Sequence, residues 1–439
     1  MSAMSPISPI SPISPTTGMS VDEFRAAARA WMEANLPRRA EGDTETRKPW
    51  DIKDVPPAEF AAQRALQKRM YESGFAGITW PAEYGGQGLS AEHQRAFDEV
   101  AIEFRQPDLG TLGGTTFHVC APTMLAHGSP EFLSVHVPRI LAGEELVAQF
   151  FSDPDAGSDL AGVRTQAVRD GERWILNGSK IWSSGAYNAD IGMCLARTNW
   201  DVPKHRGLTW FAVPVRARGV TMERIRQING NEEFCQEFFD DVELTDADVI
   251  GTVNDGWTVT QTMLLFERGG GGMRPATRTV GMKPDVVALM DEVGGWDDLA
   301  ARDAAARVHV DDLVRAALGT RIVAAMRTDP MRAASYASYG KLASGMFDPL
   351  RANHMMRIAG NAAIAWGAAD ASGPDSAGAA AALALLNSRF MAIAGGTVQM
   401  QRNTIGEKVL GLPREPSFDS GKPFRDVVRD AAHWSGKVS

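Results

Sequence analysis

Residues 148–186 read AQFFSDPDAGSDLAGVRTQAVRDGERWILNGSKIWSSGA, and the organisation of the chain is worked outward from them. Asp170-Gly171 is a hairpin signal, because glycine takes the positive φ that a tight turn needs, and short runs rich in Val, Ile, Trp and Thr flank it. Asn177-Gly178 reads as a second turn on the same ground. Strand-like runs follow at 191–198, 208–215, 220–225 and 234–242, the spacing of a small antiparallel sandwich or barrel. A central β domain is therefore expected over 146–250.

Helical periodicity dominates on both sides. Phe24, Ala27, Ala28, Trp31 and Leu36 recur at helical spacing before Pro37 ends the pattern. Residues 57–73 and 91–106 repeat it. After Gly256 the segments 257–268, 305–327, 331–346, 349–369 and 379–393 are rich in Ala, Leu, Met and Arg, with Pro330 and Pro374 as punctuation. The glycines and two prolines of 269–298 predict a long irregular connection. Helices, then strands, then helices in separate blocks predict an α+β fold. It has an N-terminal helical domain (19–145), the β domain and a C-terminal helical bundle (251–439). Residues 4–15 repeat Ser-Pro-Ile, and proline at every third position forbids a helix, so 1–18 read as a disordered tail.

Composition excludes several functions. A net charge of −9 argues against nucleic acid as the main partner. Cys120, Cys194 and Cys235 form no CxxC pair, and eight scattered histidines show no ligand spacing, so neither a disulfide framework nor a metal site is expected. The cysteine usage suits a reducing compartment, the cytoplasm. Nothing reaches the ~18 apolar residues of a membrane span, and the start of the chain lacks a secretory pattern. The most apolar stretch, 377–386, is short and alanine-rich and reads as a buried helix.

Two segments carry polar groups suited to a flat heterocycle. Residues 149–159, QFFSDPDAGSD, offer hydroxyls and backbone amides at a turn after a strand. A turn of this composition needs no ligand, however, and the residues alone leave the two readings level. Residues 177–186, NGSKIWSSGA, place Trp182 before Ser183 and Ser184, an aromatic wall with hydroxyls at its rim. A core tryptophan with its N–H bonded internally is the competing reading.

These segments, together with 80–88 (WPAEYGGQG), 225–242 (IRQINGNEEFCQEFFDDV) and 393–412 (IAGGTVQMQRNTIGEKVLGL), resemble motifs of the acyl-CoA dehydrogenases in the right order from residue 20 to 416. The pattern is closest to bacterial members acting on unusual acyl chains. The resemblance implies FAD as cofactor and α,β-desaturation of a CoA thioester. It places Phe151 and Ser152 against the flavin ring and Ser158 at the CoA portion. Trp182 covers the flavin, Ser184 lies near its N5 with Ser183 beside it, and Thr397 and Gln399 approach the nucleotide. It also implies an oligomer, either of one chain or of two related subunits, and an electron acceptor such as an electron-transfer flavoprotein.

The base differs from the common pattern. Desaturation removes a Cα proton while the β hydrogen leaves as hydride, so one carboxylate must face Cα. Most of the family place that glutamate directly before Gly-Thr of the C-terminal motif, where this chain has Gly395. A minority, the long-chain and isovaleryl types, place it on an earlier helix before an arginine. Glu267-Arg268 stands at the matching place, so the resemblance makes Glu267 the base, with Arg268 orienting it or touching substrate. The backbone N–H of Gly395 still serves the thioester carbonyl. A charged pair on a solvated helix end is the plain alternative for Glu267 and Arg268. Gly269, Gly270, Gly271 and Gly272 follow and suggest a roomy acyl pocket or a hinge.

Two family elements are missing. No Arg-x-x-Phe-Gly string, whose arginine reaches the FAD pyrophosphate of a neighbouring subunit, is present; 269–298 occupies its place. Residues 356–361, MRIAGN, replace Gln-x-x-Gly-Gly. A flavin-binding scaffold subunit and a flavin oxidase or monooxygenase are the alternatives to an active dehydrogenase.

Overall fold

The computed structural model describes residues 16, 18–39, 56–267, 281–364, 376–414, 416–417 and 419–433. The Ser-Pro-Ile repeat, Arg268 and the run from Gly269 to Gly272 lie outside these residues.

Helix α1 (Val21–Asn35) begins where Ser20 and Glu23 form a capping box: each side chain accepts from the other's backbone N–H. Its stripe of Phe24, Ala28 and Met32 is buried against Phe75, Phe97, Val100 and Phe104. Helices α2 (Pro57–Glu72), α3 (Ala91–Ala101), α4 (Gly110–Thr115), α5 (Ala121–His127) and α6 (Pro130–Leu141) complete the first block. A turn of π-helix, Thr116–Cys120, joins α4 to α5.

The β strands are β1 (Val147–Phe150), β2 (Gln166–Asp170), β3 (Arg173–Ser184), β4 (Ile191–Arg197), β5 (Leu208–Pro214), β6 (Val220–Ile225), β7 (Phe234–Thr245) and β8 (Val249–Ile250). They form one sheet in the order β6-β7-β3-β2-β4-β5-β8, with β1 pairing β4. The sheet is mixed rather than wholly antiparallel, since β1 runs parallel to β4 and β2 meets β4 in parallel at Gln166 and Arg197. Every residue of β4 is buried, as a central strand covered on both faces requires.

Asp170-Gly171 is the expected hairpin turn, with Asp170 opposite Arg173. Asn177-Gly178 is not a turn. It is a bulge inside the continuous strand β3, where the register against β7 shifts between Leu176 and Gly178. Gly178 has φ +139°, and a Cβ there would lie 2.7 Å from the Thr165 Cα. The glycine serves a close backbone approach.

The last block holds α7 (Gly256–Glu267), α8 (Pro284–Glu292), α9 (Leu299–Thr328), α10 (Ala333–Ala359), α11 (Ala377–Asn387), α12 (Val398–Thr404) and α13 (Phe424–Ala432). Two expectations fail here. The irregular connection contains α8, whose Val286, Leu289 and Met290 are buried against Ala301, Ala304 and Ala305 of α9. The two helices expected on either side of Asp348-Pro349 are one, because α10 carries Pro349 within its length. No described helix is long and apolar enough to cross a membrane.

Candidate active site

The turn after β1 is built on one buried ion pair. Phe150 is buried in one core cluster, and half-buried Phe151 packs against the other, with Trp210 at a centroid distance of 5.3 Å. Asp153 accepts from Arg164 N (2.5 Å), Thr165 N (2.7 Å) and Thr165 Oγ1 (3.0 Å). Lys180 of β3, wholly buried, places Nζ 2.6 Å from Asp153 Oδ1 and donates to the Phe151 carbonyl at 2.9 Å. Ile181 N donates to the Ser152 carbonyl at 2.9 Å. The backbone of Phe151 and Ser152 is thus held on both sides, and both residues are half-buried. Ser158 stands exposed further along it.

Trp182 is no core residue. It is 56% exposed and has φ +70°, a left-handed conformation rare for a bulky side chain. The cause is a second bulge in β3, where the register shifts between Ile181 and Ser183. Such strain costs of order 1–3 kcal/mol and persists where surroundings impose it. The indole meets Phe234 edge-on at 5.7 Å, and Phe234 stacks on Phe390 of the last block at 6.0 Å. The bulge turns Ser183 inward, where its hydroxyl donates to Glu237 Oε2 at 2.9 Å. Burial pushes the Glu237 carboxyl up to about 8, against the opposing pull of Ser183 and the Lys180 charge. Its Oε1 has no partner. Ser184 is half-buried at the end of the strand, opposite Phe234.

The second half of the site lies where α7 ends. Trp210 of the sheet donates Nε1 to the Gly256 carbonyl (3.0 Å) and to Thr260 Oγ1 (3.1 Å), anchoring α7, and Gln149 donates to Met263 Sδ at 3.0 Å. Glu267 closes the helix, partly buried. Gly395 and Gly396 follow the turn Phe390–Ala392 with φ +63° and +91°. A Cβ on Gly395 would lie 3.1 Å from Glu267 Oε1 and 3.2 Å from Lys341 Cε. The carboxylate from α7 therefore stands beside the point where a side chain at 395 would begin. The two slots that the resemblance treats as alternatives converge in space.

Gln401 Nε2 fastens the glycine pair, donating to the carbonyls of Gly395 and Gly396 at 3.1 Å each, while its buried Oε1 has no partner. Thr397 caps α12 by accepting from Met400 N at 3.2 Å, and Gln399 is exposed. Cys120 is fully buried, and burial with the Glu267 charge pushes its thiol well above the ordinary range, so it is inert. The three cysteines of the chain are buried free thiols. The described residues hold no cluster of His, Cys, Asp and Glu suited to a metal ion.

The comparisons agree with the motifs. The family model for the acyl-CoA dehydrogenase N-terminal domain matches residues 20–144, and that for the middle domain matches 148–242. The chain is 35% identical over 398 residues to acyl-CoA dehydrogenase IpdE1 of Mycobacterium tuberculosis, covering 90% of this chain and 98% of that one. It belongs to the acyl-CoA dehydrogenase family. Acyl-CoA dehydrogenase FadE34 of the same organism is also 35% identical, over 81% of this chain, which spans 48% of that longer protein. Among solved structures, the Tcur3481-Tcur3483 steroid ACAD is similar at 27% identity and a TM-score of 0.65, covering 90% of this chain and 98% of that one. The ChsE4-ChsE5 complex from Mycobacterium tuberculosis is similar at 25% identity and 0.62, covering 92% and 99%.

The family is FAD-dependent, and the enzyme is an oxidoreductase and a flavoprotein. The residues present fit a flavin ring. An indole held out of the core at a strained φ and the hydroxyl-bearing edges of Ser152 and Ser184 offer the face and the rim that a flat heterocycle needs. In place of Gln-x-x-Gly-Gly, Met356–Asn361 closes α10 with Gly360 at φ +51°.

Proposed function

We propose that the chain desaturates a bulky acyl-CoA thioester between Cα and Cβ with Glu267 as the base. The observation that carries this reading is the approach of the Glu267 carboxylate to the side-chain position of Gly395. A second carboxylate at 395 would meet the first at close range, so a glutamate on α7 and a glycine at 395 are a matched pair.

Bound FAD supplies the acceptor for the β hydrogen. Glu267 Oε1 takes the proton from Cα. The Gly395 N–H donates to the thioester carbonyl, where negative charge develops as that proton leaves, and Gln401 holds the glycine pair in place. Trp182 would wall a bound flavin, and Phe151, Ser152 and Ser184 would hold its ring and rim. Ser183 supports this edge from within, through Glu237. Thr397 and Gln399 serve the nucleotide, Ser158 the CoA portion, and Arg268 orients the base or the substrate.

A bulky substrate is supported by the likeness to the steroid ACAD and by the side-chain-free run from Gly269 to Gly272. An assembly of more than one subunit is supported by the exposed apolar residues of α9 and α10, including Val310, Val314, Met346 and Leu350. The assembly is either of one chain with substitute residues or of two related subunits; the names of the Tcur3481-Tcur3483 and ChsE4-ChsE5 structures and the missing pyrophosphate arginine support the second. An electron-transfer flavoprotein as acceptor and a cytoplasmic location complete the proposal.

The test is anaerobic bleaching of the bound flavin across a panel of acyl-CoAs, with FAD per subunit and mass by light scattering measured on the same sample. Bleaching by bulky or branched acyl-CoAs above straight C4–C8 chains is expected. The reverse order removes the bulky substrate, and no bleaching in an FAD-loaded assembly removes the dehydrogenase reading.

A further inference from the structure

Lys341 is a half-buried cation with no place in the sequence motifs, and three observations bring it to the base. A Cβ at Gly395 would lie 3.2 Å from Lys341 Cε and 3.1 Å from Glu267 Oε1, so both side chains border one point. Lys341 Nζ donates to the Met391 carbonyl at 2.6 Å, in the turn that leads to Gly395. One helical turn further on, a Cβ at Gly345 would come within 3.1 Å of the same Met391 carbonyl oxygen and 3.2 Å of the Ala392 Cα. The turn is seated directly on this face of α10, with Lys341 as its polar fastening.

We propose that Lys341 is a positioning residue for the base: its ammonium fastens the Phe390–Ala392 turn that presents Gly395, and its charge keeps the Glu267 carboxylate ionised. This inference rests on the assignment of Glu267 as the base. A partly buried carboxylate facing an apolar acyl chain gains protons readily, and a nearby cation opposes that. Burial draws the Lys341 pKa down while the Glu267 and Asp348 charges hold it up. Asp348, on the same helix, is engaged by Arg315 of α9 at 2.6 Å. Cys120, beside Glu267, is a neutral thiol. Glu267 and Asp348 are the anions whose charges act on Lys341, and Lys341 in turn lends positive charge to Glu267 from α10.

The two roles separate by substitution. Lys341→Gln can still donate to the Met391 carbonyl but carries no charge, Lys341→Met does neither, and Lys341→Arg keeps the charge. The FAD-loaded assembly is assayed for kcat/KM against pH with a bulky acyl-CoA. In wild type the acid limb reports protonation of Glu267. Expected results are an acid limb displaced to higher pH by about one unit or more in Lys341→Gln and Lys341→Met, with activity below the limb falling about 10-fold per unit. Lys341→Arg should keep the wild-type limb. Limbs that coincide in all four proteins, with only a uniform loss, would reduce Lys341 to a structural fastening and overturn the proposal. Glu267→Gln in the same series separates the two levels. An active Glu267→Gln enzyme removes the base itself, and an inactive one with unmoved Lys341 limbs removes this inference alone.

Discussion

Substitution of Gly395 by alanine probes the convergence of Glu267, Lys341 and the glycine pair with one methyl group. Gly395 has φ +63°, where an L-residue with a Cβ loses about 1–2 kcal/mol. The new Cβ would meet Glu267 Oε1 at 3.1 Å and Lys341 Cε at 3.2 Å, tighter than the ~3.5–4.0 Å of a relaxed carbon contact. Both atoms lie near the ends of flexible side chains, so the fold accommodates the methyl by moving them a few tenths of an ångström. Stability therefore falls little, and in a chain of this size the melting temperature drops by only a few degrees. On the proposed mechanism, however, the moving atoms are those of the reaction. A misplacement of 1 Å costs on the order of 100-fold in rate, so a few tenths should cost roughly 5- to 10-fold. Stopped-flow flavin reduction and thermal melting on the same sample measure the two effects. A Gly395→Ala protein that reduces its flavin at the wild-type rate would show that no reacting carboxylate stands there.

Three further outcomes follow from residues of β3 and of the strand and turn packed beside it. Trp182→Gly relieves the strain at φ +70° and removes an exposed side chain, so melting temperature should hold or rise while FAD affinity weakens about 2- to 10-fold; unchanged affinity in a flavin titration of the apoprotein would remove the indole from the site. Glu237 has a folded pKa of about 8, above its unfolded value near 4.5, so the native state keeps a proton that the unfolded state releases. Its penalty is absent below the unfolded pKa and grows by about 1.4 kcal/mol per pH unit as pH rises towards 8; Glu237→Gln should flatten this slope and exceed wild type at pH 8, and superposable denaturation profiles would refute it. Lys180→Met leaves Asp153 buried without its counter-charge and should cost about 3–5 kcal/mol, with Asp153→Asn added to it restoring part; a loss under 1 kcal/mol by denaturant titration would show that the pair does not hold the turn.

The strands and most helices were legible because their apolar periods agree with their burial. The run at 220–225 coincides with β6, and 191–198 differs from β4 by one residue. Asn177-Gly178 misled because the dipeptide that makes a tight turn also makes a bulge, and Thr165, distant in sequence, decides between them. The gap expected between 346 and 349 is absent because α10 runs through it and carries Pro349 within its length, the cost of a proline in a long helix being offset by packing. Of the candidate site residues, Trp182, Ser184, Glu267 and Gly395 were marked by type and motif. Lys180, Asp153, Glu237, Lys341 and Gln401 were not, because their roles come from partners 11 or more positions away, or, for Gln401, from a pair of carbonyls at the preceding turn. The one signal within the sequence was a lysine in phase with the buried residues of β3, a position that demands a buried acid.

The assignment of the base is tested most directly by the rate of flavin reduction in Glu267→Gln under anaerobic conditions, with FAD per subunit equal to wild type. Glutamine keeps the size and hydrogen bonding of the side chain and removes only its basicity. Bleaching by the best acyl-CoA should slow by at least ~100-fold, while binding of that acyl-CoA is retained. A Glu267→Gln protein that bleaches within a few-fold of the wild-type rate would contradict the account.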